Sequence, residues 1–404
     1  MAGTTTGTTG RIAGSIPEQS AGSEAQRLQV RLLVLQPTPF CNINCAYCYL
    51  PARDDTRRMT RDTLARTAAV VLGSPFLGDR LTIVWHAGEP LVLPPSYYRD
   101  AFAIFAAATR PGLELTQSFQ TNGTLINQEW AEFFIETEAH VGISIDGPAG
   151  FHDRYRHSRK GRGTHAATLA GIRELQQRAI EFHVITVLTD EALNDPDAFV
   201  DFYLDCGIRE VGFNIEEIEG PHTRSSLQSI GTTARYARFM ERVIERVTAL
   251  PPGTLEIREL RDTFSLIASP HSETRHNEQV EPLTIVSIDV DGNISTFSPE
   301  LLGNKNAAYG DFIFGNIHQH SLADVLSHPM LMRTRSEIQK GVRLCADTCA
   351  YFAFCKGGAP ANKLFENGRF ESTETLYCQL TKQTLFNVVL NHFEATLALE
   401  ASSP

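Results

Sequence analysis

Six times before residue 250 the chain passes from a short run of β-branched and aromatic residues into a helical pattern. The candidate strands are 31–36 (RLLVLQ), 81–85 (LTIVW), 115–121 (LTQSFQT), 140–145 (HVGISI), 181–189 (EFHVITVLT) and 209–214 (REVGFN). Helical patterns lie near 60–72, 96–108, 127–137, 164–178, 196–205 and 231–249. Six βα units in series predict an α/β fold with a parallel sheet and right-handed crossovers. Six rather than eight units predict an open, partial (β/α)6 barrel related to the TIM form. In such folds chemistry gathers at the carboxyl ends of the strands.

The unusual residues fall at those ends. CNINCAYC (41–48) follows the first strand, HAGEP (86–90) the second and TNGT (121–124) the third. SIDG (144–147) ends the fourth, and GFN (212–214) ends the sixth. After about residue 250 the pattern changes. Residues 284–299 read as a hairpin turning on Asp-Gly-Asn, followed by FGNI (314–317), a short helix near 321–326 and a cysteine-bearing tail. The expected organisation is therefore a disordered Gly/Thr/Ser-rich tail over 1–28, a barrel over 29–255 and a second unit over 256–404. The tail lacks the apolar core of a secretory signal, and no run is long and apolar enough to span a bilayer. A net charge of −11 argues against nucleic acid or an anionic membrane as partner. The expected location is the cytoplasm. There, eight cysteines are better explained as ligands or catalysts than as disulfides.

Cys41, Cys45 and Cys48 are spaced C-x3-C-x2-C. A disulfide reading leaves one thiol over. Zinc would need a fourth ligand, for which His86 is a spatial candidate. An iron–sulfur cluster held by three thiolates would leave one iron open to a small chelating molecule. The second group, Cys345, Cys349, Cys355 and Cys378, could fill the coordination of a cluster completely, or hold zinc. Cys206, the eighth, reads as a small core residue.

The first spacing, with Tyr47 before the last cysteine, resembles the radical S-adenosylmethionine (SAM) enzymes. That resemblance implies a [4Fe–4S] cluster on Cys41, Cys45 and Cys48, with SAM on the open iron. It also implies that Gly88 and Glu89 of AGEP meet the SAM amino group and Ser144 the ribose, with Asn122 and Asn214 in the same mouth. Arg156 (or Arg154) would take the SAM carboxylate. The tail resembles the SPASM extension of peptide-modifying members. Cysteines are missing from the hairpin and before FGNI, so one auxiliary [4Fe–4S] cluster is expected, on Cys345, Cys349, Cys355 and Cys378.

From residue 30 on, LLVLQPTPFCNINCAYCYLP, LTIVWHAGEPLVLP, DGNISTFSPELLG and YFAFCKGGAPANKLFENG resemble the cyclophane-forming maturases of the GrrM type. Members join an aromatic side-chain carbon to the Cβ of a residue two positions away in a ribosomally made peptide. The implied mechanism is hydrogen abstraction from Cβ by the 5′-deoxyadenosyl radical, addition to the ring, and loss of a proton and an electron. Asp289 is the expected base, preferred over Asp291 and Glu300. The implied partners are a precursor peptide, whose leader adds as a strand to an exposed sheet edge, and an electron donor such as flavodoxin or ferredoxin. Alternatives are formylglycine formation as in anaerobic sulfatase maturation, thioether formation, and a non-catalytic zinc-binding peptide scaffold.

Overall fold

The computed structural model describes residues 28–268 and 276–402. The tail expected to be disordered lies outside the described residues but for its last position. One sheet organises the rest. Its repeating part is β1 (Val30–Leu35), β3 (Leu77–Trp85), β4 (Glu114–Thr121), β5 (His140–Ser144), β7 (Phe182–Leu188) and β8 (Glu210–Ile215), each hydrogen-bonded in parallel to the next. These are the six strands expected from the sequence, in chain order. A separate small ribbon pairs β2 (Ile43–Cys45) antiparallel with β6 (Arg156–Ser158).

Between the strands run α1 (Arg61–Leu72), α2 (Pro95–Ala108), α3 (Gln128–Thr137), α4 (Ala149–Tyr155), α5 (His165–Gln176) and α6 (Pro196–Asp205), followed by α7 (Thr232–Thr248). Their starts are encoded locally. The side chains of Thr60, Asn127 and Asp195 accept from backbone amides in the first turns of α1, α3 and α6. Proline opens α2 and α6, where a missing N–H costs nothing. Apolar faces of these helices meet the sheet in an aromatic cluster. The Phe119 ring of β4 lies 4.8 Å from Tyr98 on α2 and 5.5 Å from Phe134 on α3, while Trp85 of β3 stands 5.2 Å from Tyr98. All four side chains are buried.

The sheet does not stop at the repeats. β9 (Glu256–Ile257) adds in parallel to β8, and α8 (Arg258–Ala268) follows it. At the other side β10 (Ile285–Ile288) adds in parallel to β1, with Val34 opposite Ser287. The hairpin continues as β11 (Asn293–Thr296) and β12 (Gly315–Asn316). The expected hairpin is thus present, and it extends the barrel sheet. The two edges, β12 and β9, are two-residue strands, so a leader peptide added at either would find little strand to pair with.

The remaining helices are α9 (Leu322–Leu326), α10 (Pro329–Thr348), α11 (Phe352–Cys355), α12 (Pro360–Asn367), α13 (Leu376–Cys378) and α14 (Leu385–Ser402). Helix α14 returns to the barrel, its Phe393 ring 4.8 Å from Phe264 on α8. Among the described residues no helix is long and apolar enough to cross a membrane.

Phe119 anchors the junction of two strands and two helices. Truncating Phe119→Ala should lower unfolding free energy by about 3–5 kcal/mol, read as a drop in urea midpoint at unchanged m-value.

Candidate active site

The first cysteine loop leaves β1 at the carboxyl edge of the sheet and is held by its backbone. Arg159 Nε donates to the carbonyl of Cys41 at 2.7 Å, Arg53 Nη1 to that of Cys45 at 2.9 Å, and His222 Nε2 to that of Cys48 at 3.0 Å. Burial pushes the Cys41 thiol up to about 12, with a further rise from nearby Glu89. Burial also pushes Cys45 up to about 11. To hold a metal both thiols would have to give up these protons.

Arg156 does not lie free to meet a ligand carboxylate, as the sequence suggested. Its Nε and Nη2 donate to the two oxygens of Asp146 at 2.8 and 3.0 Å, and both side chains are buried. The remaining Nη1 approaches Cys45 Sγ at 3.9 Å. The pairing follows from β2–β6, which sets Cys45 opposite Arg156. The Tyr47 hydroxyl also donates to Asp146, and the Arg156 guanidinium stands 5.4 Å from the centre of the Tyr47 ring. Burial alone would raise the Asp146 carboxyl, but the charge and hydrogen bonds of Arg156 hold it below the usual carboxylate range. Arg154, the other expected fork, pairs with Glu191 at the surface.

Glu89 sits where β3 and β4 end. Its Oε1 accepts from Leu91 N at 2.9 Å and from the Thr121 hydroxyl at 2.6 Å, and its Oε2 accepts from Asn122 N at 2.8 Å. It is 1% exposed. Burial pushes its carboxyl up to about 7 against those three donors. Among the described residues it has no ion-pair partner. Its environment therefore fits a ligand ammonium. Gly88, at φ 138°, is required beside it, since a Cβ would fall 2.1 Å from the Thr38 carbonyl. Ala87 is itself left-handed, at φ 66°.

The other expected ligand contacts already carry internal bonds. The Asn122 amide donates to Asn42 at 2.8 Å and stands 3.9 Å from Cys41 Sγ, while its oxygen accepts from Thr124. Ser144 Oγ accepts from Gln120 at 3.0 Å. Asn214 Oδ1 accepts from Arg258 at 2.9 Å, in a cleft of about 820 Å³ between β8, α8 and the C-terminal helices. His86 meets Tyr49, with Nε2 3.3 Å from the hydroxyl.

Asp289 is not placed as a base. Its Oδ1 accepts from the backbone amides of Asp291 and Asn293, both at 2.9 Å, and its Oδ2 from the Asn293 amide at 2.9 Å. It closes the hairpin turn. Asp291 pairs with Arg57 at 2.7 Å. Burial raises the Asp289 carboxyl against those three donors, and a second group of carboxylates is raised together elsewhere: Glu217, Glu219 and Glu300. Burial is the first cause for each. Glu219 is raised further by Glu217 and by Glu300, which itself stands at about 7. Glu217 and Glu219 follow β8 in IEEIEG, a run of acids at a strand's carboxyl end that the sequence reading passed over. Their loop closes on the first cysteine loop at Gly220, where a Cβ would fall 2.3 Å from the Tyr49 carbonyl. On its other side Glu217 accepts from Asn362 on α12 at 2.5 Å.

Next to Asn362 begins the second cysteine group. Cys345, Cys349, Cys355 and Cys378 all line one cavity of about 330 Å³. Buried Lys363 donates to Cys345 Sγ at 3.3 Å, and Gln383 approaches Cys378 Sγ at 3.7 Å. Burial pushes Cys378 up to about 11 and also raises Cys345, where Lys363 works against it. Among the described residues no three His, Cys, Asp or Glu side chains converge tightly enough for a single ion. Cys206 does not reach either group. It is half-buried at the end of α6, on the rim of the core rather than inside it.

The family model described as the radical SAM superfamily matches residues 35–203. The chain is 43% identical over 374 residues to "Uncharacterized protein sll1766" of Synechocystis sp., covering 91% of this chain and 93% of that one. It is 33% identical over 205 residues to the serine-type anaerobic sulfatase-maturating enzyme of Klebsiella aerogenes, half of each chain. Among solved structures, anSMEcpe with bound AdoMet aligns with a TM-score of 0.74 at 18% identity, over 90% of this chain and 98% of that one. SuiB of Streptococcus suis bound to its precursor peptide SuiA aligns with a TM-score of 0.60 at 16% identity, over 89% and 79%. At such identities these structures speak for the fold.

Two outcomes follow from this geometry. Ala87→Gly should stabilise the protein by about 1 kcal/mol by removing a left-handed alanine, read by denaturant unfolding. Glu89 binds its proton more tightly folded than unfolded, so its contribution is best below about pH 4.5 and is lost as pH rises through about 7. Relative to Glu89→Gln, the unliganded wild type should lose roughly 3 kcal/mol between those limits.

Proposed function

We propose that this chain, whose residues 35–203 match the radical SAM superfamily, matures a ribosomally made peptide by joining an aromatic side-chain carbon to a Cβ two residues away, as a three-residue cyclophane. The observation that carries an oxidative reaction is the position of Glu217 and Glu219. Their loop packs at Gly220 against the Tyr49 carbonyl, just after Cys48, and Glu217 accepts from Asn362, next to Lys363 of the second cysteine cavity. A new bond to an aromatic ring leaves one proton and one electron to remove. Buried carboxylates with raised pKa suit the proton, and a four-thiolate site beside them suits the electron. The resemblance of the cysteine, AGEP and hairpin segments to cyclophane-forming enzymes narrows the product.

When bound, the open cluster and SAM supply the radical that takes a Cβ hydrogen, and the closed cluster supplies an electron sink. Cys41, Cys45 and Cys48 would hold the first cluster and Cys345, Cys349, Cys355 and Cys378 the second. Glu89 fits the SAM ammonium, being buried, anionic in hydrogen bonding and without a cation. Asp146, through Arg156, fixes the strand that presents Cys45. The Glu217–Glu219 pair takes the ring proton in place of Asp289. A peptide in the mouth would keep water from the reacting carbon. An electron carrier of the flavodoxin or ferredoxin class would reduce the first cluster.

The likeness to sulfatase-maturating enzymes favours one second reading, oxidation of a serine or cysteine side chain to formylglycine. Proton and electron would leave by the same groups. Mass spectrometry of the short precursor encoded beside the gene, co-expressed with the enzyme, separates the two. Loss of two hydrogens mapped by fragmentation to an aromatic-containing tripeptide, and absent with Cys45→Ala, is expected. A change mapped to a lone serine or cysteine would overturn the cyclophane reading.

Glu219→Gln should lower the yield of crosslink per 5′-deoxyadenosine by about 10²–10⁴-fold, measured by single-turnover chromatography. Asp289→Asn should leave that ratio unchanged.

A further inference from the structure

Lys363 lies on α12 with 4% of its surface exposed. Its Nζ donates to the Gly341 carbonyl at 3.1 Å and to Cys345 Sγ at 3.3 Å. Among the described residues it pairs with no carboxylate. A buried ammonium without an anion is among the costliest groups to place in a protein interior. The acceptors it does have are a backbone carbonyl and a thiol of the cysteine group. Lys363 and all four thiols line the same cavity. The acid on that cavity, Glu374, is exposed and accepts from Gln379 and Gln383 instead. Lys356, nearby in sequence, stands over the Phe352 ring and does not line the cavity.

A cubane held by four thiolates is an anion, and reduction by one electron makes it more negative. A cation fixed at hydrogen-bond distance from one of its sulfurs stabilises the reduced form more than the oxidised form, and low dielectric strengthens the effect. We propose that Lys363 is the positioning residue that raises the reduction potential of the auxiliary cluster, so that the cluster accepts the electron leaving the substrate ring. One electron passes to the cluster while the proton passes to the Glu217–Glu219 pair. A one-electron carrier of the iron–sulfur or flavin class then reoxidises the cluster. This rests on the reading of the four cysteines as a cluster site.

The test is a redox titration of the reconstituted, full-length holoenzyme followed by electron paramagnetic resonance. Iron per chain is measured alongside, and SAM is added to mark the signal of the open cluster. In Lys363→Met the auxiliary couple should shift at least tenfold toward the oxidised form, a potential 59 mV lower for one electron. Lys363→Arg, which keeps the charge, should stay within threefold of wild type. A Met variant with full iron and the wild-type potential would overturn the assignment while leaving the cluster reading intact. So would an Arg variant shifted as far as the Met variant. If Lys363→Met does not fold, Lys363→Gln is titrated in its place against the same limits. Wild type with iron for one cluster only, about four rather than eight atoms per chain, would remove the cluster reading and the assignment with it.

Discussion

The ion pair between Asp146 and Arg156 is the joint on which the site is hung. It connects the end of β5 to β6, and through the β2–β6 ribbon it fixes Cys45. Asp146 also accepts from Val187 N at 3.0 Å and from the Tyr47 hydroxyl. Its own amide donates to His152 at 3.2 Å, and burial holds that imidazole down at about 3, so that it stays neutral. One carboxylate thus ties together three strands and the cysteine loop. Removing a single partner from such a pair leaves an uncompensated buried charge, at a cost of roughly 3–5 kcal/mol. Replacing either residue would disturb the loop before it disturbed the sheet.

Much of this architecture could be read from local sequence. The six strands have high β content and short polar boundaries, and each is followed by a capped helix, so period and punctuation agree. β3 begins earlier than expected, at Leu77, because LGDR carries little apolar signal yet still pairs with β1 and β4. The join between β1 and β10 could not be read, because nothing local to either strand states a pairing across 250 residues.

The site divides in the same way. Cysteine spacing and the AGEP turn are short-range patterns, and they pointed at Glu89 and Gly88. Arg156 was read as a free fork because the partner that occupies it, Asp146, is defined by burial. Asp289 was read as a base, although an aspartate ahead of Asp-Gly-Asn is just as well a turn acceptor, and in three dimensions it is one. Glu217 and Glu219 had a visible signal in IEEIEG. Lys363 had none: a lysine in ANKLF looks like a solvated helix residue until α12 turns it inward.

The parallel pairing of β10 with β1 has a consequence for biosynthesis. On the ribosome the β1 edge emerges early, yet its second neighbour is not made until about residue 288. Until then an apolar strand that ends as part of the core stands with one side unpaired. Pairing it demands a long loop closure, which slows folding and prolongs exposure of that edge. The N-terminal six-unit barrel, expressed without the last third of the chain, would keep β1 as an open apolar edge and would be prone to stick to other chains through it. The C-terminal extension is therefore also the piece that seals the barrel.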